Sequence, residues 1–160
     1  LVFKDIIQKT DGLNLNLLIA GKGRDYDLLK EEINKFKLTN NVNLLGWVNE
    51  IDKLELLNKT DIYVCPSYFE GLPNSLLECM SIGIPSISTN VGSIPDVISH
   101  GYNGFLYNPG NKIELKSLLI NLLENSNLRE KISINSKNHI NSNNTIDIAC
   151  KTIDEIFCNI

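Results

Sequence analysis

Along the whole chain, short apolar runs closed by Gly or Pro alternate with segments whose apolar residues recur at helical spacing. No other feature constrains the fold as strongly. Strands separated in sequence by helices pair in parallel, because each crossover needs a long connection, and the helices then cover the sheet. The strand-like runs are residues 15–20, 42–45, 62–65, 85–88 and 104–107. The helical segments are residues 1–9, 25–36, 50–58, 74–81, 113–123, 128–139 and 145–157, with one helical turn at 94–99. In the third of these, Ile51, Leu54 and Leu57 mark the apolar stripe, and in 113–123 it is Leu115, Leu118, Leu119 and Leu122. The Asn/Ser-rich residues 141–144 read as a solvated loop. We therefore expect an α/β, Rossmann-like three-layer domain over residues 1–160, with a parallel sheet covered by helices on both faces. At 160 residues, 42% of them hydrophobic, the chain can bury one core.

Parallel sheets bind ligands in the crevice beyond the carboxyl ends of their strands. That rule selects three loops, at residues 21–24, 46–49 and 67–73. The formal net charge of -4 and the absence of a Lys/Arg-rich run exclude non-specific nucleic-acid binding. The four cysteines have no metal-ligand spacing, so no metal is expected. Cys65 and Cys79 sit among apolar residues and read as buried, reduced thiols, which points to the cytoplasm. No apolar run is long enough to cross a bilayer, and no signal peptide is evident. The chain opens at Leu1, within an apolar pattern, and reads as a piece of a longer protein.

Gly21-Lys22-Gly23 follows a strand and precedes a helix. A dinucleotide fingerprint would need a third glycine where Tyr26 stands, so this is either a tight turn or a place of close ligand approach. Lys22 reads as a solvated surface lysine. In Gly46-Trp47-Val48 the tryptophan reads as a core residue; the alternative is a loop lining a flat pocket for a nucleobase. The third loop is richer. Glu70-Gly71-Leu72-Pro73-Asn74 leads into a helix that carries Glu78. Pro73 suits the first helical turn, and the leading amides and the dipole's positive end form an anion site. A carboxylate there can accept paired hydrogen bonds from a diol. Alternatively, both glutamates only complement the dipole, at about 0.3–1 kcal/mol each.

From Pro66-Ser67 through Phe69-Glu70-Gly71-Leu72-Pro73, Ser75-Leu76-Leu77-Glu78 and Gly83-Ile84-Pro85, to Val91-Gly92-Ser93-Ile94-Pro95-Asp96 and Gly104-Phe105-Leu106, the sequence resembles one family. It is similar to the C-terminal, donor-binding half of the group 1 (family 4) retaining glycosyltransferases, which have the GT-B fold. Their mark is two glutamates with seven residues between them, as at Glu70 and Glu78.

The resemblance implies transfer of a sugar, with retention and without a metal, from a nucleotide-diphosphate donor, UDP- or GDP-linked, to a glycan or lipid-linked acceptor. It implies that Glu70 contacts the transferred sugar as the catalytic residue. Gly71 and Leu72 would offer backbone amides to the sugar and diphosphate, Pro73 and Asn74 would belong to the same substrate-binding turn, and Glu78 would bind the ribose. Gly21, Gly23 and the Gly46, Trp47, Val48 loop would lie near nucleotide and base. It further implies that the acceptor-binding N-terminal domain and the first strand are missing here, along with an upstream Arg and Lys that neutralise the leaving diphosphate. Lys4 and Lys9 fall within the first helix and do not match that pair. The isolated chain is then expected to be inactive, and the full protein to be cytoplasmic with peripheral association at the inner membrane face. An epimerase-like domain of similar build would need acid/base groups, but His100 and His139 show no carboxylate partner in sequence. The other alternative is a non-catalytic nucleotide-sugar-binding module.

Overall fold

The computed structural model describes residues 2–10 and 13–143. The chain divides into two compact units, Leu1–Lys59 and Thr60–Ile160. The expected helix over 145–157 lies outside the described residues, as do Cys150 and Cys158.

The first unit runs α1 (Val2–Ile7), β1 (Leu17–Ala20), α2 (Tyr26–Lys35), β2 (Val42–Gly46) and α3 (Glu50–Asn58). β1 and β2 pair in parallel, Leu17 opposite Val42 and Ile19 opposite Leu44, with a register shift before Ala20, which faces Gly46. Ile6, Ile33 and Val42 are its buried apolar residues. Lys9 falls beyond α1, and the Lys4 ammonium lies over the Phe36 ring instead. The apolar stripe expected on α3 is not a core stripe: Ile51 is 74% exposed and Leu54 59%. Local interactions define this helix. Asn49 caps it by accepting from the Asp52 amide at 2.9 Å, and Lys53 pairs with Glu50 at 2.8 Å.

The second unit runs β3 (Tyr63–Cys65), α4 (Asn74–Ile82), β4 (Ser86–Thr89), α5 (Ile94–Val97), β5 (Phe105–Tyr107), α6 (Lys112–Glu124) and α7 (Ser126–Asn143). Its sheet has the order β3-β4-β5, parallel throughout, with Val64 opposite Ile87 and Ile87 opposite Phe105. All four β4 side chains are buried, because each face of the sheet carries its own core. On one face Leu76 and Met80 of α4 pack with Ile94, Val97, Ile98 and Ile140. On the other, Ile87, Phe105 and Tyr107 pack with Leu122 of α6 and Ile132 of α7. This is the expected helix–sheet–helix arrangement, but the strands fall into two sheets of two and three rather than one.

α4 ends at Gly83 with φ 86°, the left-handed conformation that glycine adopts without a Cβ penalty. A Cβ there would also meet Ser133 Oγ at 2.6 Å, so α7 packs closely against this turn. The expected loop at 141–144 is corrected over its first three residues, which continue α7. Ile140 is buried in the first core, and Asn143 Nδ2 donates to the His139 carbonyl at 3.0 Å, so the helix persists past its last anchor.

Burial pushes the Cys79 thiol up to about 12 and the Tyr107 phenol up to about 12, and it raises Tyr63 as well. Each group is neutral when protonated, and the unfolded chain releases its proton at lower pH. Stability is therefore full below about pH 8.5 and falls as pH climbs from there towards 12. Urea midpoints measured across that window should stay level to about pH 8.5 and then drop. At neutral pH, Met80→Ala should cost about 2–5 kcal/mol, whereas Ile51→Ala should stay within about 0.5 kcal/mol of the unaltered protein.

Candidate functional site

The turn between β3 and α4 carries Glu70, Gly71, Leu72 and Pro73, and the helix it opens carries Asn74 and Glu78. Glu70 lies on the exposed loop, and its Oε1 accepts a hydrogen bond from Ser67 Oγ at 2.9 Å. Leu72 turns its side chain into the Leu76–Met80 core and so anchors the loop from below. Pro73 is the N-cap rather than a residue within the first turn, with φ -71° and ψ 125°. Its carbonyl accepts from the Leu76 amide at 3.0 Å, and it offers no side-chain cap. The amides of Asn74 and Ser75 thus stand ahead of the helix ladder, at the positive end of the α4 dipole. Tyr63 on β3 and Ser75 share a hydrogen bond of 2.7 Å, which ties this helix end to the sheet. Glu78, the fifth residue of α4, is half-buried, and its Oε2 is shut off from solvent.

Gly71 differs from the other glycines around it. Its backbone is not left-handed, and a Cβ built there would meet nothing within 4 Å. The chain itself therefore does not demand glycine at this place.

In the first unit, Gly21, Gly23, Gly46, Trp47 and Val48 lie at the carboxyl ends of β1 and β2. The Gly21 amide donates to the Gly46 carbonyl at 2.6 Å, which joins the two loops just past the strands. Trp47 is not a core residue: it is 86% exposed. β2 ends at Gly46 with φ 66°, and the chain turns away before the tryptophan can follow the strand inward. Lys22 is exposed, as expected, with its ammonium 5.7 Å from the centre of the Tyr26 ring.

His100 is occupied by backbone. Its Nδ1 lies 3.1 Å from the Leu106 amide, which donates to it, and its ring meets Phe105 edge-on. Cys65 and Cys79 are buried free thiols, as their apolar surroundings suggest. Among the described residues, no group of His, Cys, Asp or Glu could hold a metal ion, and no helix is long and apolar enough to cross a membrane.

Two features of the site escape the residue order. The first is how Glu70 is held: Ser67 stands out only as part of a motif, although a hydroxyl three residues before a loop carboxylate is within reach of it. The second is the loop after β4, residues 90–93, which lies outside the three loops selected for ligands. β4 is parallel to β3, so its carboxyl end lies at the same edge.

Residues 2–139 match the family model described as glycosyl transferases group 1. The chain is 32% identical over 142 residues to an uncharacterized glycosyltransferase of Methanocaldococcus jannaschii, covering 88% of this chain and 36% of that protein. It thus spans about a third of the length of the curated relatives it matches. Among solved structures, the C-terminal domain of a glycosyl transferase group 1 family protein from Francisella tularensis is similar at TM-score 0.78 and 24% identity, over 91% of this chain and 77% of that one. HepE of Anabaena, crystallised with UDP-glucose, is similar at TM-score 0.83 and 21% identity, over 99% of this chain and 44% of that one.

Proposed function

The chain belongs to the group 1 glycosyl transferases, and on that premise we propose that its second unit holds the nucleotide-diphosphate sugar of a retaining glycosyl transfer. One observation carries this reading. Glu70 and Glu78 flank the amide-rich start of α4, around a glycine that no contact or backbone angle within the chain requires. A ligand approaching the backbone at Gly71 supplies the missing reason.

In this reading the Gly71 and Leu72 amides and the α4 dipole face the diphosphate, with no metal ion assigned. When the glycosyl bond breaks, negative charge grows on that group, and preorganised donors aimed at it lower the barrier. Glu78 accepts the ribose hydroxyls from a rigid helix. Glu70 accepts hydroxyls of the transferred sugar from the exposed loop. HepE was crystallised with UDP-glucose, which makes a uridine diphosphate sugar the first donor to test. Transfer to an acceptor is assigned to the larger protein, since the chain spans only a third of its relatives. An epimerase-like chemistry finds no support in His100, whose Nδ1 is engaged with Leu106.

Calorimetric titration with UDP, GDP and their sugar conjugates tests the assignment. Glu78→Ala should weaken the bare nucleotide about tenfold or more, the worth of hydrogen bonds to a charged group. Glu70→Ala should leave the bare nucleotide unchanged and weaken only the sugar-bearing form. Equal losses in both variants would contradict the division of roles. Failure of any nucleotide to bind at millimolar concentration would remove the site.

A further inference from the structure

We infer that Ser67 and Gly92 are positioning residues for Glu70, and that together they set the recognition of the transferred sugar without touching the nucleotide. The inference rests on the donor-binding reading above.

Glu70 is the exposed acid of the pair, on a loop with no helix to restrain it. Two separate devices hold it. One acts on the carboxylate: Ser67 Oγ donates to Oε1 at 2.9 Å. Ser67 is itself fixed, because its carbonyl accepts from Thr89 Oγ1 at 2.7 Å, and Thr89 is the buried last residue of β4. The carboxylate is thus referenced through one serine to the central strand of the sheet.

The second device acts on the backbone. The Ser93 amide donates to the Gly71 carbonyl at 2.9 Å. Gly92, at φ 54°, lies flat against the same peptides: a Cβ there would collide with the Glu70 carbonyl oxygen and stand 2.5 Å from the Gly71 oxygen. These are backbone atoms, so no side chain can swing aside to relieve the contact. Val91, just before, packs on the core that also takes Leu72. Both loops are therefore rooted in one core and pressed together above it. The gap between them is set by the absence of a side chain at residue 92.

Gly71 and Gly92 are neighbours across this contact, yet their causes are opposite. Residue 71 has open space and residue 92 has none. Alanine at 92 would displace the Glu70–Gly71 peptide, while α4, which carries Glu78, has a further tie that the loops do not share, the Tyr63–Ser75 hydrogen bond.

The test compares the protein with its Ser67→Ala, Ser67→Thr, Gly92→Ala and Glu70→Ala variants by calorimetry, using UDP against UDP-glucose and GDP against GDP-mannose. Ser67→Ala should lower affinity for the sugar-bearing form about fivefold, the worth of one hydrogen bond, and leave the bare nucleotide unchanged. Ser67→Thr, which keeps the hydroxyl, should restore it. Gly92→Ala should lose more of the same selectivity, with thermal unfolding followed in parallel. A general loss of structure would weaken both ligands alike and would not be rescued by threonine. Ser67→Ala with equal losses for both ligands, or with none, overturns the inference. If Glu70→Ala shows the selective loss while Ser67→Ala does not, this inference falls and the donor reading stands. If the unaltered protein binds no nucleotide, both fall.

Discussion

The second unit is organised around β4, a strand of four residues with every side chain buried. It pairs in parallel on both edges and carries an apolar core on each face. Three of its four residues are nevertheless polar. Their hydroxyls are accommodated because each donates to a nearby carbonyl: Ser86 to Ile84 at 2.9 Å, Ser88 to Cys65 at 3.3 Å and Thr89 to Ser67 at 2.7 Å. A buried hydroxyl without such a partner would cost about 1–3 kcal/mol. Small hydroxyl residues therefore do two jobs here. They sit buried in a strand covered on both faces, and they stitch it to β3 and to the loop beyond. The last of these bonds is the one that reaches the candidate site.

Much of this fold is legible in the amino-acid order, for a physical reason. Helix and strand periods differ, and the Gly and Pro residues that separate them are local signals. α3 is bounded as expected at Glu50 and Asn58, and β4 and β5 lie within a residue or so of their apolar runs. The step from period to burial is where the order misleads. Ile51 and Leu54 recur at helical spacing and still face water, because spacing states which side of a helix is apolar and not what covers it. Trp47 departs from expectation for the same reason: hydrophobicity favours burial, but a left-handed glycine just before it redirects the chain. The polar run after Ile140 reads as a loop because Asn and Ser are poor helix formers. A helix held by a buried residue one turn earlier outweighs a few tenths of a kcal/mol per residue of propensity.

The candidate site divides along a similar line. Two glutamates and a helix-opening turn are contiguous in the chain, so their chemistry is readable from residue order alone. The groups that hold them are not contiguous. Thr89 lies 22 residues from Ser67 and bonds its backbone, not a complementary side chain, so no pairing of residue types betrays it. Gly92 reads in sequence as a turn residue, and it is one. Its second constraint, the pressure against Glu70 and Gly71, arises only when two loops at the same edge of a parallel sheet are folded onto one core.

The two acids are restrained by different means, and the difference bears on what each can do. Glu78 rises from a helix, half-buried, with one carboxylate oxygen withdrawn from solvent, so most of its freedom is lost on folding. Glu70 is exposed, and a free glutamate side chain loses about 1.5–2 kcal/mol of rotamer entropy when it is fixed. Were it unrestrained, that cost would fall on any ligand it binds. The Ser67 hydroxyl takes up part of the restraint beforehand while leaving the second carboxylate oxygen for a partner. An exposed acid can then act as an ordered acceptor, provided the loop beneath it does not move. The Gly92 contact and the Ser93 amide supply that condition through backbone atoms, which have no rotamers to lose.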